Sequence, residues 1–258
     1  MEKGTYYRSR RRRCSPLARI LTFLLVSVVL FFGVSVFFRI HEFTVIGDTR
    51  YSTEEIAAAS GISRGNNLIF IRPEEAVRNI ERNLPYVANA QVTRRFPSRV
   101  EIQITEALAL AYVPYGTRYV ILDRAAKVLE IADERPDGMI SILGVEIAEA
   151  PRAGENLSFG EAERQRLVYV QDILNMLQQL GLYPNVLQID MENLLDPTLY
   201  YDGRLIVRLG PNRQLPRKMN LLRSILEELN EQDAGVIDLN PESPIFRPAP
   251  TAEREGEG

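Results

Sequence analysis

The residue types that most often perform catalysis are scarce in this 258-residue chain, which has one histidine, His41, and one cysteine, Cys14. The serine and cysteine nucleophiles of common hydrolases need a histidine beside them as the base. Zinc sites need several histidine or cysteine ligands. The sequence also lacks a glycine-rich phosphate loop and the carboxylate spacing of an EF-hand. We therefore expect no catalytic, cofactor-binding or metal-binding residues.

Carboxylates are the one abundant group that could do chemistry, with 34 aspartates and glutamates in the chain. Two carboxylates can hydrolyse a glycosidic bond without help from a histidine, so a hydrolase of that kind stays open. Acidic side chains are mostly exposed, however, and on a soluble surface they usually serve only solvation. We predict that the protein is not an enzyme, has no small-molecule substrate, and works by binding other proteins.

One segment, Ile20–Phe38, carries no charged residue. As a helix it would be about 28 Å long, close to the hydrocarbon thickness of a bilayer. Seven basic residues and one acid, Glu2, precede it, and basic flanks stay in the cytoplasm. A cleaved signal peptide is the main alternative, but its apolar part is shorter and ends in small residues. We predict a single transmembrane helix over residues 20–38, a cytoplasmic basic tail over residues 1–19, and an extracytoplasmic remainder.

The remainder of the chain is acidic. The chain has 31 basic and 34 acidic side chains, of which seven basic and one acidic side chain precede the apolar segment. The residues after it therefore have 24 basic and 33 acidic side chains and a net charge of about −9. A nucleic-acid partner is therefore not expected. Because Cys14 lies before the segment, the exported part can form no disulfide and must be held together by packing.

The first 70 residues after this segment predict a compact α+β unit with the order strand, helix, helix, strand, strand. Ser52 and Glu55 form a capping-box pattern that starts the first helix, and Gly61 ends it. Pro73 suits the start of the second helix. The predicted strands are His41–Asp48, Val87–Arg95 and Val100–Thr105. These elements indicate a mixed three-stranded sheet covered by two helices.

The same residues resemble the POTRA module of the FtsQ/DivIB family of cell-division proteins. The family has a V-x-G strand, a helix, a motif with Leu-Pro followed by spaced Val, Ala, Val and Pro, and a strand that ends in Glu. The matching positions here are Val45, Gly47, Leu84, Pro85, Val87, Ala90, Val92, Pro97 and Glu106. The resemblance continues into the family's β-rich second domain, although Ala126 stands in a turn where the family often has glycine.

The fold expected from these patterns is α+β, with the transmembrane helix, a POTRA domain over residues 39–108 and a larger β-rich domain with two helices over residues 109–240. The first of those helices is predicted to start at a capping box, Ser158 and Glu161, and the second at Pro216. An Asp-Gly pair, Asp202-Gly203, predicts a hairpin. Residues 241–258 contain four prolines and are predicted to be a disordered tail.

The resemblance implies a non-enzymatic, bitopic scaffold that recruits and regulates the septal peptidoglycan synthesis machinery. The implied partners are FtsB/DivIC-like and FtsL-like bitopic proteins, with the septal synthase complex reached indirectly. The implied location is the plasma or inner membrane at the division septum. A membrane-anchored POTRA chaperone or translocation module is the alternative, although such proteins normally carry tandem POTRA repeats.

In the family, the partner strand pairs with the last strand of the β-rich domain, and exposed sheet edges accept strands in this way. The predicted partner-binding residues are Val236, Ile237, Asp238, Leu239, Ile245 and Phe246. It stays open whether Val236–Leu239 is an exposed edge or an interior strand. Pro241 and Pro244 follow at once, and proline cannot donate a hydrogen bond to a neighbouring strand.

Overall fold

The structure is a computed structural model and describes residues 16–158, 160, 163–240 and 245–248. Most of the predicted cytoplasmic tail lies outside these ranges. The first helix, α1, covers Pro16–Phe37, and its described apolar side chains, such as Leu21 and Phe23, are exposed. Among the described residues, no helix is both long and apolar enough to cross a membrane. The predicted transmembrane helix therefore stays a prediction.

The unit after α1 has the predicted order of elements. These are β1 (Glu42–Ile46), α2 (Thr53–Ser60), α3 (Pro73–Asn83), β2 (Val87–Arg95) and β3 (Arg99–Glu106). The three strands form one sheet in the order β1-β3-β2, in which β1 runs parallel to β3 and β2 runs antiparallel to it. The mixed sheet and its two helices confirm the predicted α+β unit.

The predicted capping signals of α2 are present. The Ser52 hydroxyl accepts a hydrogen bond from the Glu55 amide at 3.2 Å, and the Ser52 amide donates to the Glu55 carboxylate at 2.7 Å. These two bonds satisfy amides that a helix start otherwise leaves unpaired. Gly61 follows with φ of 73°, a left-handed conformation that ends the helix at no steric cost. The helix is thereby fixed with Ile56 fully buried against the sheet.

The second unit is built on a larger mixed sheet. Its described strands are β4 (Ala111–Tyr115), β5 (Arg118–Leu122), β6 (Val128–Ala132), β7 (Ile140–Leu143), β8 (Val186–Asp190), β9 (Thr198–Tyr201), β10 (Leu205–Arg208), β11 (Gly235–Asp238) and β12 (Ile245–Pro248). They lie in the order β12-β11-β10-β9-β8-β7-β4-β5-β6. The two predicted helices are α4 (Arg164–Leu180) and α5 (Leu215–Glu228).

The core of this unit lies between the sheet and the two helices. Ile173 and Leu177 of α4 and Met219 of α5 have no exposed surface and pack in one cluster with the strands. Tyr169 is also buried, and its hydroxyl donates to the Gly210 carbonyl at 2.6 Å, so its polar end is satisfied. Both helices therefore cover one face of the sheet, and no other α-helix of the described residues lies in this unit's core cluster.

Two local predictions differ from the structure, and one turn adopts a conformation that is unusual for its alanine. Helix α4 begins at Arg164 with Glu163 as its N-cap and no side-chain cap bond, so the predicted start at Ser158 is wrong, and Glu161 lies outside the described residues. Ala126 has φ of 58°, so the turn adopts the left-handed conformation although alanine replaces glycine. The tail was predicted to be disordered from residue 241, but Ile245–Pro248 forms β12.

The two units meet at a junction that is centred on Lys127. This lysine is 8% exposed, and its ammonium donates to the carbonyls of Glu81 at 2.5 Å and Val87 at 2.7 Å. The Gly154 amide donates to Val128 O at 2.8 Å, and Gly154 lies so close to the Arg82 carbonyl that a Cβ there would overlap it. The second unit therefore contacts the carboxyl end of α3 directly.

Candidate partner-binding site

The candidate site is the end of the large sheet that β12 forms. Strand β11 pairs with β10 in parallel and with β12 in antiparallel register. Strand β12 is the last in the order, and no described strand lies beyond it. Its backbone groups on the outer side therefore have no strand partner among the described residues.

The structure separates the six predicted binding residues into two groups. Val236, Ile237 and Asp238 lie in β11, which is paired on both sides, and Leu239 follows directly. Ile245 and Phe246 lie in β12. Of the two alternatives that the sequence left open for Val236–Leu239, the structure has the interior strand, and the predicted role of these residues in partner binding stays a prediction.

The edge strand β12 includes two residues that the sequence did not predict as part of the site, Arg247 and Pro248. A short pattern in the sequence could have predicted this strand, because two large apolar residues, Ile245 and Phe246, stand together within a proline-rich tail. Phe246 is partly buried and packs against the main core. The burial of this ring explains why the chain returns to the sheet after residue 240 instead of leaving it.

The outward-facing groups of β12 follow from the hydrogen bonds of β11. The amides of Gly235 and Leu239 donate to Arg204 O and Arg208 O, at 3.1 and 2.9 Å. Because amides alternate sides along a strand, those of Val236 and Asp238 face β12. Their partners in the register are Arg247 and Ile245. The two remaining residues of β12, Phe246 and Pro248, must then face outward.

The free edge therefore offers a small and defined set of backbone groups. Phe246 presents one amide donor and one carbonyl acceptor. Pro248 presents a carbonyl but has no amide hydrogen. A partner strand could form a narrow pair of bonds with Phe246 and one further bond with Pro248 O. The donor at Phe246 is the only outward amide of this four-residue strand.

The face of the sheet away from the helices carries exposed apolar side chains next to this edge. Ile245 is 43% exposed and Ile206 is 38% exposed. Ile206 lies in a row with Tyr200, Val236 and, in β12, Arg247, whereas Ile245 lies in the next row opposite Asp238. Side chains of a strand added beside β12 would alternate onto this face, where an apolar residue could contact Ile245.

Charged side chains hold β10 and β11 together beside this row. Arg208 Nε donates to Asp196 Oδ2 at 2.8 Å, and Arg208 Nη1 lies 3.6 Å from Asp238 Oδ2. The hydrogen bond and charge of Asp196 raise the pKa of Arg208. Asp238 therefore contacts its own sheet and does not point to a free edge. Exposed pairs of this kind contribute little stability each.

The site offers no cluster of metal ligands. Within the described ranges, no three His, Cys, Asp or Glu side chains are placed to hold a metal ion. What the arrangement can do chemically is pair its backbone with an extended peptide and contact apolar side chains.

Comparisons with known proteins agree with the predicted resemblance. Residues 38–107 match the POTRA domain of FtsQ type. The chain is 27% identical over 244 residues to the cell division protein DivIB of Clostridium botulinum strain Hall, and the match covers 93% of each chain. It is 28% identical over 228 residues to the cell division protein FtsQ of Syntrophotalea carbinolica, with 83% of this chain and 76% of that one covered.

A solved structure also aligns with part of the chain. It is the major extracytoplasmic domain of the trans isomer of the cell division protein DivIB from Geobacillus stearothermophilus. The alignment has a TM-score of 0.31 and 15% identity, and it covers 50% of this chain and 98% of that one. The resemblance to the FtsQ/DivIB family is confirmed by the domain match and the similar sequences.

Proposed function

From its FtsQ-type POTRA domain and its similarity to the DivIB and FtsQ cell-division proteins, we propose that this chain is a bitopic scaffold of bacterial cell division. It binds FtsB/DivIC-like and FtsL-like proteins through the domain after α1, and through them it recruits and regulates septal peptidoglycan synthesis. The observation that carries the binding role is the free outer side of β12, the last strand of the large sheet. This role needs no catalytic residue.

The mode of binding that we propose is β-augmentation at β12. An extended segment of the partner pairs with the Phe246 amide and carbonyl and extends the nine-stranded sheet by one strand. Main-chain bonds supply affinity, whereas Ile245 and Arg247, the two residues of β12 on the face away from the helices, contact side chains of the partner. Pro248 limits the pairing at one end because it offers no amide.

We propose that residues 20–38 anchor the protein in the plasma or inner membrane, with the basic tail in the cytoplasm and residues 39–258 outside. The charge-free sequence and the exposed apolar side chains of α1 support this topology. Residues 39–108 would form the POTRA domain and residues 109–240 the β-rich domain. Bitopic partners would be confined to the same membrane, which raises their effective concentration at β12.

Depletion of the protein tests the proposed division role in cells. We expect growth to continue while septa fail to form, so the cells become long and undivided. Phase-contrast microscopy and staining of new wall material measure this directly. Normal septa after complete depletion would rule out the scaffold role. A general failure of membrane-protein export without filaments would support a translocation role instead.

Replacing Phe246 with proline tests the edge itself. We expect the full-length protein to capture an FtsB/DivIC-like partner at least about tenfold more weakly, because one unpaired backbone group costs about 1–3 kcal/mol and 1.4 kcal/mol is a factor of ten. The amides of Ile245 and Arg247 still reach β11, so β12 should stay attached. Binding is measured by titrating the labelled partner in detergent.

The matched control is Phe246→Ala. It removes the same ring from the core but keeps the outward amide, so loss caused by packing alone would be equal in the two variants. We expect Phe246→Ala to bind clearly more tightly than Phe246→Pro. Equal affinities, or full binding by Phe246→Pro, would contradict pairing at this edge.

A further inference from the structure

One end of the POTRA sheet faces the point where α1 leaves the domain. β1 begins there at Glu42, β3 begins there at Arg99, and β2, which runs in the opposite direction, ends there at Arg95. Only residues 38–41 separate the end of α1 from the start of β1. Four residues span at most about 14 Å. This end of the domain therefore lies next to the end of α1.

The short connection is fastened to two loops. Phe38 O accepts a hydrogen bond from the Leu68 amide at 2.7 Å, and the Ile40 amide donates to Asn66 O at 2.9 Å. The Phe38 ring lies 5.6 Å from that of Phe96 and 5.2 Å from that of Phe37, both edge-on. The loop over residues 64–70 and the turn over residues 96–98 are thus held beside the end of α1.

Large apolar side chains on these loops are exposed. Phe70 is 69% exposed, Phe96 is 63% exposed and Ile69 is 40% exposed. Phe37 at the end of α1 is 63% exposed and continues the same surface through Phe38. Single exposed apolar residues are ordinary, but several on neighbouring loops beside one helix end indicate a contact surface. We name this group, Phe37, Ile69, Phe70 and Phe96, the apolar rim.

Arginines without carboxylate partners surround the apolar rim. Arg39 and Arg64 are exposed on the two segments that form it, and Arg94 donates to Ile71 O at 2.6 Å. No described carboxylate lies within ion-pair distance of these three. The neighbouring pairs are Arg95 with Glu101 and Arg99 with Glu42. The rim therefore carries excess positive charge on a domain that is otherwise acidic.

We propose that the apolar rim docks on the anionic lipid surface of the membrane that holds α1. Aromatic and aliphatic side chains enter the boundary between headgroups and acyl chains, and arginines beside them bind anionic headgroups. The occupant is lipid because the rim adjoins the end of α1 within a few residues, and because Arg39, Arg64 and Arg94 have no carboxylate partner among the described residues. This inference rests on the proposed membrane anchor.

Docking would fix the domain relative to the membrane. A four-residue connection alone permits the POTRA domain to tilt, whereas contacts at the loop of residues 64–70 and at Phe96 restrict that tilt. The β12 edge would then lie at a defined orientation for partners that extend from the same membrane. The rim is thus a positioning surface for the proposed scaffold.

The test uses the absence of tryptophan from the chain. A Phe96→Trp variant of the full-length protein, in nanodiscs that contain phosphatidylglycerol, has one fluorophore at the rim. We expect its emission to be blue-shifted and quenched several-fold more by brominated acyl chains than that of a Leu195→Trp control. Leu195 is 71% exposed, so the control matches Phe96 in exposure but lies in the β-rich domain.

The results of this test decide whether lipid or protein covers the apolar rim. Equal quenching of the two variants would overturn the proposal. A blue shift that appears only after addition of a bitopic partner, without quenching by brominated lipid, would assign the rim to a protein and also overturn it. Adding Arg39→Gln and Arg64→Gln should reduce the quenching of Phe96→Trp in anionic nanodiscs but not in neutral ones.

The membrane anchor and the scaffold role are tested separately in the same samples. Flotation of the protein with lipid vesicles reports on the anchor, and partner capture by Phe246→Pro reports on the edge. Loss of quenching in a protein that floats and captures its partner would reject the rim alone. A protein that does not float would reject the rim together with the anchor.

Discussion

Proline in place of Ile237 is expected to destabilise the β-rich domain, and not merely to release a partner. Ile237 has no exposed surface and lies in β11 between β10 and β12. The amides of Gly235 and Leu239 donate toward β10, so that of Ile237 faces the same strand. Proline removes this bond and the buried side chain, which costs about 3 kcal/mol or more.

The effect should be visible in the thermal unfolding of the full-length protein, followed by circular dichroism. A loss of this size lowers the melting temperature of a domain of 150–250 residues by roughly 6–12 °C. Phe246→Pro is the matched control, because it places a proline in the neighbouring strand β12 at a position whose amide faces outward. The melting temperature of this variant should fall much less. An unchanged melting temperature for Ile237→Pro would mean that β11 is not an interior strand.

The sequence left open whether Val236–Leu239 is an exposed edge or an interior strand. An alternating run such as VIDL indicates a strand, but periodicity does not identify its neighbours, because pairing depends on residues far apart in the chain. Two facts about the folded chain identify the edge strand, namely which backbone amides face outward and that Phe246 is partly buried. Both depend on the pairing of residues 245–248 with β11, which proline-rich composition does not predict.

Local signals were predictive where the interaction itself is local. Ser52, Glu55 and Gly61 lie within ten residues of one another, and the structure has their predicted cap bonds and left-handed φ. The predicted cap at Ser158 used the same pattern, yet α4 begins at Arg164. There the packing of Tyr169 and Ile173 on the sheet fixes the helix, and packing overrides a capping preference of about 1 kcal/mol.

Ala126 shows how a tertiary contact can override a backbone preference. The Asp123 carboxylate accepts the amides of Ala125 at 2.8 Å and Lys127 at 2.9 Å, which closes the turn around Ala126. The left-handed conformation costs an alanine about 1–2 kcal/mol. It is held because the same turn directs Lys127 into the junction between the two domains, an interaction that composition alone could not predict.

Replacing Lys127 with methionine is expected to loosen that junction. Glu81 is within the last four residues of α3, whose carbonyls have no partner inside the helix. The Lys127 side-chain nitrogen donates to Glu81 O and to Val87 O, and it can make both bonds with or without its charge. Without it, two buried carbonyls lose their donor, at about 1–3 kcal/mol each.

Hydrogen exchange in the full-length protein measures this loosening. We expect faster exchange at the end of α3 and in the connection between β3 and β4 for Lys127→Met. Lys218→Met is the matched control, since Lys218 also donates to two carbonyls, Leu209 O at 2.7 Å and Pro211 O at 3.0 Å, but within one domain. Gly154→Ala should resemble Lys127→Met, because its Cβ would overlap Arg82 O. Unchanged exchange in both junction variants would show that the contact does not hold the domains together.

The pH dependence of stability gives a second signature of Lys127. Burial lowers its pKa in the folded protein below the ordinary value of 10.5. At pH values between the pKa of Lys127 in the folded protein and its pKa in the unfolded chain, the unfolded chain binds more protons than the folded one. Lys127 therefore makes the stability rise with pH across that window. The stability advantage of the native protein over Lys127→Met should therefore grow as pH rises toward 10.5. Urea unfolding at several alkaline pH values measures it, and an advantage that shrinks with pH would contradict a lowered pKa of Lys127 in the folded protein.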